Sequence, residues 1–308
     1  MKIAIIGTGG VGGYFGAKLG QSGNDVTFLA RGEHLRVMQT NGLTVKSILG
    51  DFKIGQVKAT DNVKNIGTAD LIILGIKAWQ VKDMALELLN IIDKNTVVLP
   101  LQNGILATEE LTEHIDRRHV IGGLCRIISK IESPGVIQHM GVTPTIVFGE
   151  PDNSKSKRIL EIQEIFNKAG FIGRVADDIE AELWKKFISI CVSGLLAVTR
   201  STYGEIRTLK ETRQLMIGLM SEIFILSKKM KINLESDFIE KTVSYIDGFS
   251  PDMTSSLARD VWAGKPSEIE YQNGTVVKLG NKYGVDTPIN KFIYECILPM
   301  EKRARAKA

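Results

Sequence analysis

Three groups of residues have the type and spacing to do chemistry. The first is Gly7-Thr8-Gly9-Gly10-Val11-Gly12, which follows a short apolar run and opens a helical pattern through Tyr14, Phe15 and Leu19. In that setting Gly7 allows a tight turn, Gly9 lets backbone N–H groups approach a pyrophosphate, and Gly12 lets the helix pack against the strand, while the helix N-terminus favours an anion. Strand, turn, helix and second strand arrive in order, which predicts a dinucleotide site rather than a purely structural turn. The second group is Ala30-Arg31, at the end of the second strand. Sites for NAD usually carry an acid there for the ribose 2′-hydroxyl. A guanidinium fork suits a 2′-phosphate instead, so the predicted cofactor is NADP (NADPH).

The third group is Lys186 and the apolar stretch Phe187 to Leu196 that it leads into. All four histidines lie before residue 140, so proton transfer in the second half falls to Lys, Glu, Asp, Tyr, Cys or water. That stretch reads as a helix too apolar to lie on the surface, with positions 186, 190 and 194 on one face. A lysine at the edge of that face would lose hydration and become a better acid. Composition weighs this evenly against a solvated Lys185-Lys186 pair at a helix start. Among the other candidates, His114 and His119 are five apart without partners at metal spacing and read as surface residues. Ser255 and Ser256 read equally as helix caps, and the default reading of Glu268 is a solvated first-turn carboxylate.

The elements that must position these groups differ between the halves. Residues 1–150 hold 20 of the 30 glycines and alternate short β-branched runs (Lys2 to Ile6, Asp25 to Leu29, Leu71 to Leu74, Thr96 to Leu99) with amphipathic stretches. That pattern signifies βαβ units and a parallel sheet. After Asp177 the apolar spacing is helical through Ile179 to Val198, Leu209 to Met230, Ser236 to Ile246, Ser255 to Ala263, Ile269 to Tyr283 and Ile289 to Glu301. The expected fold is α/β: an N-terminal Rossmann-type doubly wound sheet over residues 1–175, then an all-helical C-terminal domain over residues 176–308. The boundary is placed in a turn-rich stretch running through Gly170 and Gly173 to Asp177-Asp178.

The whole chain sets outer limits on function. With 308 residues, 44% hydrophobic and 24% charged, it can bury a sizeable core and is not disordered. A net charge of +4 is too weak to predict nucleic acid or an anionic membrane as partner, and the basic ending Lys302, Arg303, Arg305, Lys307 reads as a solvated tail. Three cysteines without a close pair give neither a disulfide framework nor a CxxC metal site, so a reducing, cytoplasmic setting is expected. From the opening residues no signal peptide is expected, and the longest nearly apolar run, Phe187 to Val198, is too short to span a membrane.

The motifs Gly7-Thr8-Gly9-Gly10-Val11-Gly12, Arg31, Ile76-Lys77-Ala78-Trp79-Gln80, Gln102-Asn103-Gly104, Leu183-Trp184-Lys185-Lys186, Ser255-Ser256-Leu257 with Asp260, and Glu268-Ile269-Glu270-Tyr271-Gln272-Asn273-Gly274 extend over essentially the whole chain. In this order and spacing the sequence resembles the ketopantoate reductases (2-dehydropantoate 2-reductases). The resemblance implies a Rossmann domain, a helical domain and an active site in the cleft between them. It implies Lys186 as the proton donor to the substrate carbonyl oxygen, Glu268 at the nicotinamide end, Asn103 near nicotinamide ribose and substrate, Lys77 and Arg31 as cofactor-side cations, and Ser256 on the substrate carboxylate. An ammonium aimed at a carbonyl that gains negative charge makes physical sense of the first role.

The departures are as informative. Ile190 and Gly194 stand where the family usually carries substrate-binding asparagines, and Gly204 appears at a third such place. Ile190 would present a methyl surface and Gly194 would leave room beside it, which favours branched or aromatic 2-oxo acids over one bound through its hydroxyl. Three readings follow: reduction of ketopantoate to (R)-pantoate, reduction of a more apolar 2-oxo acid as D-2-hydroxyacid dehydrogenases of the family do, or an NADP-binding sensor without turnover. Retention of both Lys186 and Glu268 speaks against the sensor. The expected partners are a small 2-oxo acid and a second copy of the chain.

Overall fold

The structure, a computed structural model, describes residues 1–307. The run Lys2–Ile6 forms β1, and α1 (Gly10–Gln21) connects it to β2 (Asp25–Leu29). There follow α2 (Gly32–Asn41), β3 (Leu43–Ser47), β4 (Phe52–Ile54), β5 (Lys58–Thr60), β6 (Leu71–Leu74), α3 (Val81–Leu88) and β7 (Val97–Pro100). Strands β5-β2-β1-β6-β7, in that order, make a wholly parallel sheet. Strands β6 and β7, and β1 beyond Lys2, are buried along their whole length, so they are apolar throughout rather than alternating, while the edge strand β5 is not. Ile3 and Ile5 join Phe15, Leu19 and Phe28 in one core, while Ala4 and Ile6 join Leu74, Val81 and Leu88 in another. Strand order reverses between β1 and β6, the place where doubly wound sheets bind ligands, and the glycine run leaves β1 there.

A second sheet lies outside the sequence expectation. After α4 (Ala107–Thr112) come β8 (Gly122–Ser133), β9 (Val136–Gly149), α5 (Lys157–Lys168) and β10 (Ile172–Val175). Strand β9 pairs parallel with β3 and β10 and antiparallel with β8. Register shifts between Arg126 and Ile128 and between Ile131 and Ser133 interrupt the alternation that would reveal such strands. The stretch read as turn-rich before Asp177 holds β10. Ile137, Ile146 and Phe148 of β9 share the core of Tyr14 and Phe15, so α1 is enclosed on this side too.

The remaining helices form a unit with its own core, including Trp184, Phe187, Leu195, Met216, Leu219 and Ile297. They are α6 (Ile179–Ile190), α7 (Val192–Thr199), α8 (Tyr203–Thr208), α9 (Lys210–Lys229), α10 (Phe238–Asp247), α11 (Ser256–Trp262), a π-turn over Glu270–Gly274, α12 (Thr275–Tyr283) and α13 (Pro288–Arg305). The single helix expected over Ile179 to Val198 is instead two, broken at Cys191. Of the basic ending, Lys302, Arg303 and Arg305 are exposed on the last turn of α13 and Lys307 is exposed beyond it, with Arg305 Nε pairing with Glu301 Oε1 at 2.6 Å. The chain divides into two compact units: Met1–Gln102 with Leu106–Ile179, and Asn103–Ile105 with the residues from Glu180 onward. Among the described residues no helix is long and apolar enough to cross a membrane, and no cluster of His, Cys, Asp or Glu is arranged to hold a metal ion.

Candidate functional site

The glycine run is built as its spacing predicts. Gly7 turns the chain at φ +95°, a conformation that side chains with a Cβ rarely adopt. A Cβ on Gly12 would overlap the Gly7 carbonyl oxygen, and one on Gly10 would lie 2.5 Å from the Ser129 carbonyl oxygen of β8. Gly9 differs from its neighbours, because a Cβ there meets nothing within 4 Å. Gly9 is the N-cap of α1, no side chain caps that helix, and its first turn holds no acid. Backbone donors and the positive end of the dipole are thus offered to an anion across open space. Thr8 is turned inward, its Oγ1 donating to the Leu29 carbonyl at 2.9 Å, and Val11 packs against the core around α1.

Two cations flank this loop within the first unit. Arg31 is exposed at the N-cap of α2 and has no ion pair among the described residues. The first acid beyond β2, Glu33, is held by Arg36, whose Nε donates at 2.8 Å. The Arg36 guanidinium keeps the Glu33 carboxyl below its ordinary pKa. Lys77 follows β6 and lies 5.7 Å from the Trp79 ring centroid. Its turn is fixed by Gln102, whose Nε2 donates to the carbonyls of Leu74 and Ile76, both at 3.0 Å. These features fit a dinucleotide: an uncapped helix start, a glycine with free space, and, just past β2, a cation that has no ion pair among the described residues.

Sequence reasoning passed over two contributors here. A Cβ on Gly75 would lie 2.9 Å from both Gly12 N and Gly7 O, so the loop can approach β6 only because Gly75 lacks one. The register could have revealed it, since Ile6 pairs with Leu74 and the next residues are Gly7 and Gly75. His34 Nδ1 accepts the Gly135 N–H at 3.0 Å, joining α2 to the β8–β9 turn. Burial pushes its pKa below the ordinary histidine range, and no sequence pattern signals that role.

In the second unit, Lys186 is 9% exposed on α6, so the solvated-pair reading fails. It lies in the last turns of α6 rather than at a helix head. Lys185 points differently and pairs with Glu182 at 3.2 Å. Glu268, read by default as solvated, is 5% exposed and accepts from Asn103 Nδ2 at 3.0 Å. The turn before Glu268 is anchored by Glu301, whose Oε2 accepts from Ser267 N at 2.9 Å and Ser267 Oγ at 2.7 Å. Ser255 is the cap of α11, accepting from Ala258 N at 3.1 Å, which leaves Ser256 exposed at the first helical position.

Three expectations are corrected. The helix expected to carry 186, 190 and 194 on one face is interrupted at Cys191, between α6 and α7, although Cys191 itself keeps helical angles of φ −63° and ψ −19°. Gly194 does not leave room: a Cβ there would overlap Asn273 Oδ1 and lie 2.6 Å from Ile293 Cγ2. Ile190 remains half-buried on α6. His119 is not at the surface but 4% exposed, its Nδ1 2.8 Å from the Thr96 carbonyl oxygen; His114 is exposed.

With the geometry in place, comparison with known proteins gives a consistent result. Residues 3–153 match the family described as ketopantoate reductase PanE/ApbA, and residues 178–301 match its C-terminal family. A 2-dehydropantoate 2-reductase of Nostoc is 32% identical over 99% of this chain and 96% of its own. The crystal structure of a 2-dehydropantoate 2-reductase from Geobacter metallireducens has a TM-score of 0.91 at 28% identity, covering 97% of this chain and 99% of that one. A ternary structure of D-mandelate dehydrogenase with NADH and anilino(oxo)acetate shares the fold, with a TM-score of 0.89 at 24% identity over 99% of each chain.

Proposed function

The chain belongs to the ketopantoate reductase family, an oxidoreductase family acting on CH–OH groups, and we propose that it reduces a 2-oxo acid to the 2-hydroxy acid with NADPH, 2-dehydropantoate to (R)-pantoate being the best-supported reaction. The observation that carries this reading is a buried lysine, Lys186, in a unit that also buries Glu268 and bonds it to the half-buried Asn103. When bound, NADPH supplies the hydride. The Gly7–Gly12 loop and the start of α1 hold its pyrophosphate, and Arg31 selects the 2′-phosphate with Lys77 as a second cation. Lys186 stabilises the negative charge that grows on the substrate carbonyl oxygen and then gives that oxygen a proton. Glu268 accepts from the Asn103 amide and so fixes its orientation, presenting Asn103 Oδ1 to a hydroxyl donor such as the nicotinamide ribose. Ser256 offers its hydroxyl to the substrate carboxylate.

A second reading rests on Ile190, which sets an apolar side chain one helical turn from Lys186 and favours branched or aromatic 2-oxo acids. With Gly194 closed off, Ile190 alone supports it. The test is a panel of 2-oxo acids assayed by NADPH absorbance, comparing ketopantoate with its analogue lacking the hydroxyl. Ketopantoate is expected to have the highest kcat/KM, and a preference of about 10³ or more over the analogue would place a partner on its hydroxyl. A higher kcat/KM for aromatic substrates favours the second reading. No NADPH oxidation with any 2-oxo acid refutes both.

A further inference from the structure

The helical unit contains a buried chain of amides that the reaction as described does not use. Asn273, in the π-turn after Glu268, is 0% exposed; its Nδ2 donates to the Cys191 carbonyl at 3.2 Å and to Asn290 Oδ1 at 2.9 Å. Asn290 Nδ2 donates to the Leu219 carbonyl at 3.0 Å and to Glu222 Oε2 at 2.7 Å. Glu222 also accepts the backbone N–H groups of Ile289 at 2.8 Å and Asn290 at 3.0 Å. Each amide can be oriented only one way, because a carboxylate and a backbone carbonyl at the far end are pure acceptors. The chain therefore delivers two donor hydrogens in a fixed direction, one of them to Cys191.

Cys191 is where α6 stops. Its N–H still closes on the Phe187 carbonyl at 3.1 Å, but its carbonyl takes the Gly194 N–H from three residues on, at 3.2 Å. Asn273 supplies that carbonyl with a second donor. The other half of the amide, Oδ1, is buried without a hydrogen-bond partner and lies against Gly194, whose missing side chain is what admits it. Half-satisfied buried amides are a poor source of stability, which directs attention to geometry. Along the chain, Asn273 comes five residues after Glu268, and Cys191 five after Lys186. One side chain thus ties the segment carrying Glu268 to the end of the helix carrying Lys186.

We propose that Asn273 is a positioning residue, which by holding the Cys191 carbonyl fixes the end of α6 and so the presentation of Lys186 and Ile190 relative to Glu268. Gly194 is part of the same device, since any side chain there displaces the amide. The inference rests on the assignment of Lys186 as proton donor. Its test compares Asn273→Ala with Asn290→Ala, which removes more hydrogen bonds but none to Cys191, through kcat, KM, NADPH affinity, Tm and amide hydrogen exchange. Asn273→Ala is expected to lower kcat at least tenfold with KM and NADPH Kd within threefold, and to speed exchange over Val192 to Leu195 at least tenfold. Asn290→Ala should lose at least as much Tm with kcat within threefold. Should Asn273→Ala fail to fold, Gly194→Ala displaces the amide instead of removing it and should give the same split. Unchanged kcat and exchange in Asn273→Ala, or losses of kcat that follow Tm in both variants, overturn the proposal. Exchange decides it even if no 2-oxo acid is turned over, a result that would overturn the proposed reaction instead.

Discussion

Replacing Gly9 by alanine tests whether the open space beside it serves a ligand or is merely unfilled. A methyl there meets no protein atom within 4 Å, and the backbone, at φ −78° and ψ −164°, is one that alanine adopts. Loss of unfolded-state entropy should stabilise the apo protein by about 0.4–1 kcal/mol, while alanine is a poorer N-cap than glycine by a similar amount. The two nearly cancel, so apo Tm should move by no more than about 2 °C. On the proposed assignment of the loop, the same methyl would occupy space that the pyrophosphate needs, and NADPH Kd should rise at least tenfold, or about 1.4 kcal/mol. At NADPH equal to 100 times the wild-type Kd, ligand stabilisation is about 2.7 kcal/mol, and it falls to about 1.4 kcal/mol when Kd rises tenfold. The NADPH-induced thermal shift should therefore be roughly halved. Gly12→Ala supplies the contrast, because its Cβ overlaps the Gly7 carbonyl oxygen and should destabilise the apo protein itself by about 1–3 kcal/mol. Wild-type NADPH affinity in Gly9→Ala, by fluorescence titration, would refute the assignment of the loop.

Further outcomes follow from individual side chains. Wild-type protein should bind NADPH at least about tenfold tighter than NADH, and Arg31→Ala should erase most of that margin; equal affinities in the wild type would remove the argument from Arg31. Lys186→Ala should lower kcat by about 10² to 10⁴ with NADPH affinity intact. Lys185→Ala loses a pair with Glu182 that contributes about 1 kcal/mol or less and should change kcat little; the reverse pattern would transfer the proton-donor role to Lys185. The folded pKa of His34 is depressed by burial, so its contribution to stability is complete above the unfolded value of about 6.5 and is lost as pH falls through the folded one. Wild-type Tm should thus fall more than that of His34→Gln between about pH 7 and 5, and parallel Tm–pH curves would show that His34 is not involved.

The parallel sheet and the glycine loop were legible because their signals are local. A β-branched run, a glycine turn and an amphipathic helix each carry their own pattern, and Arg31 is placed by its distance from the strand. The second sheet was not legible, since β8 and β9 shift register twice and β3 pairs with a strand far along the chain. The helical pattern placed Lys186 on an apolar helix but could not locate the break at Cys191, whose carbonyl accepts from an amide of the distant π-turn. The same amide reversed the reading of Gly194, whose open space exists in the sequence and not in the fold. Glu268 and His119 were misread for a related reason: isolated polar residues look solvated until their partners, Asn103 and the Thr96 carbonyl, are brought to them by other elements.

The central claim, reduction of a 2-oxo acid at its carbonyl carbon, is tested most directly by tracing the hydride. Ketopantoate incubated with the protein and NADPH deuterated at both C4 hydrogens should give a 2-hydroxy acid one mass unit heavier, with deuterium at C2, and Lys186→Ala should form it at about 10² to 10⁴ lower rate. Absence of deuterated product from ketopantoate and from every other 2-oxo acid offered would contradict the account.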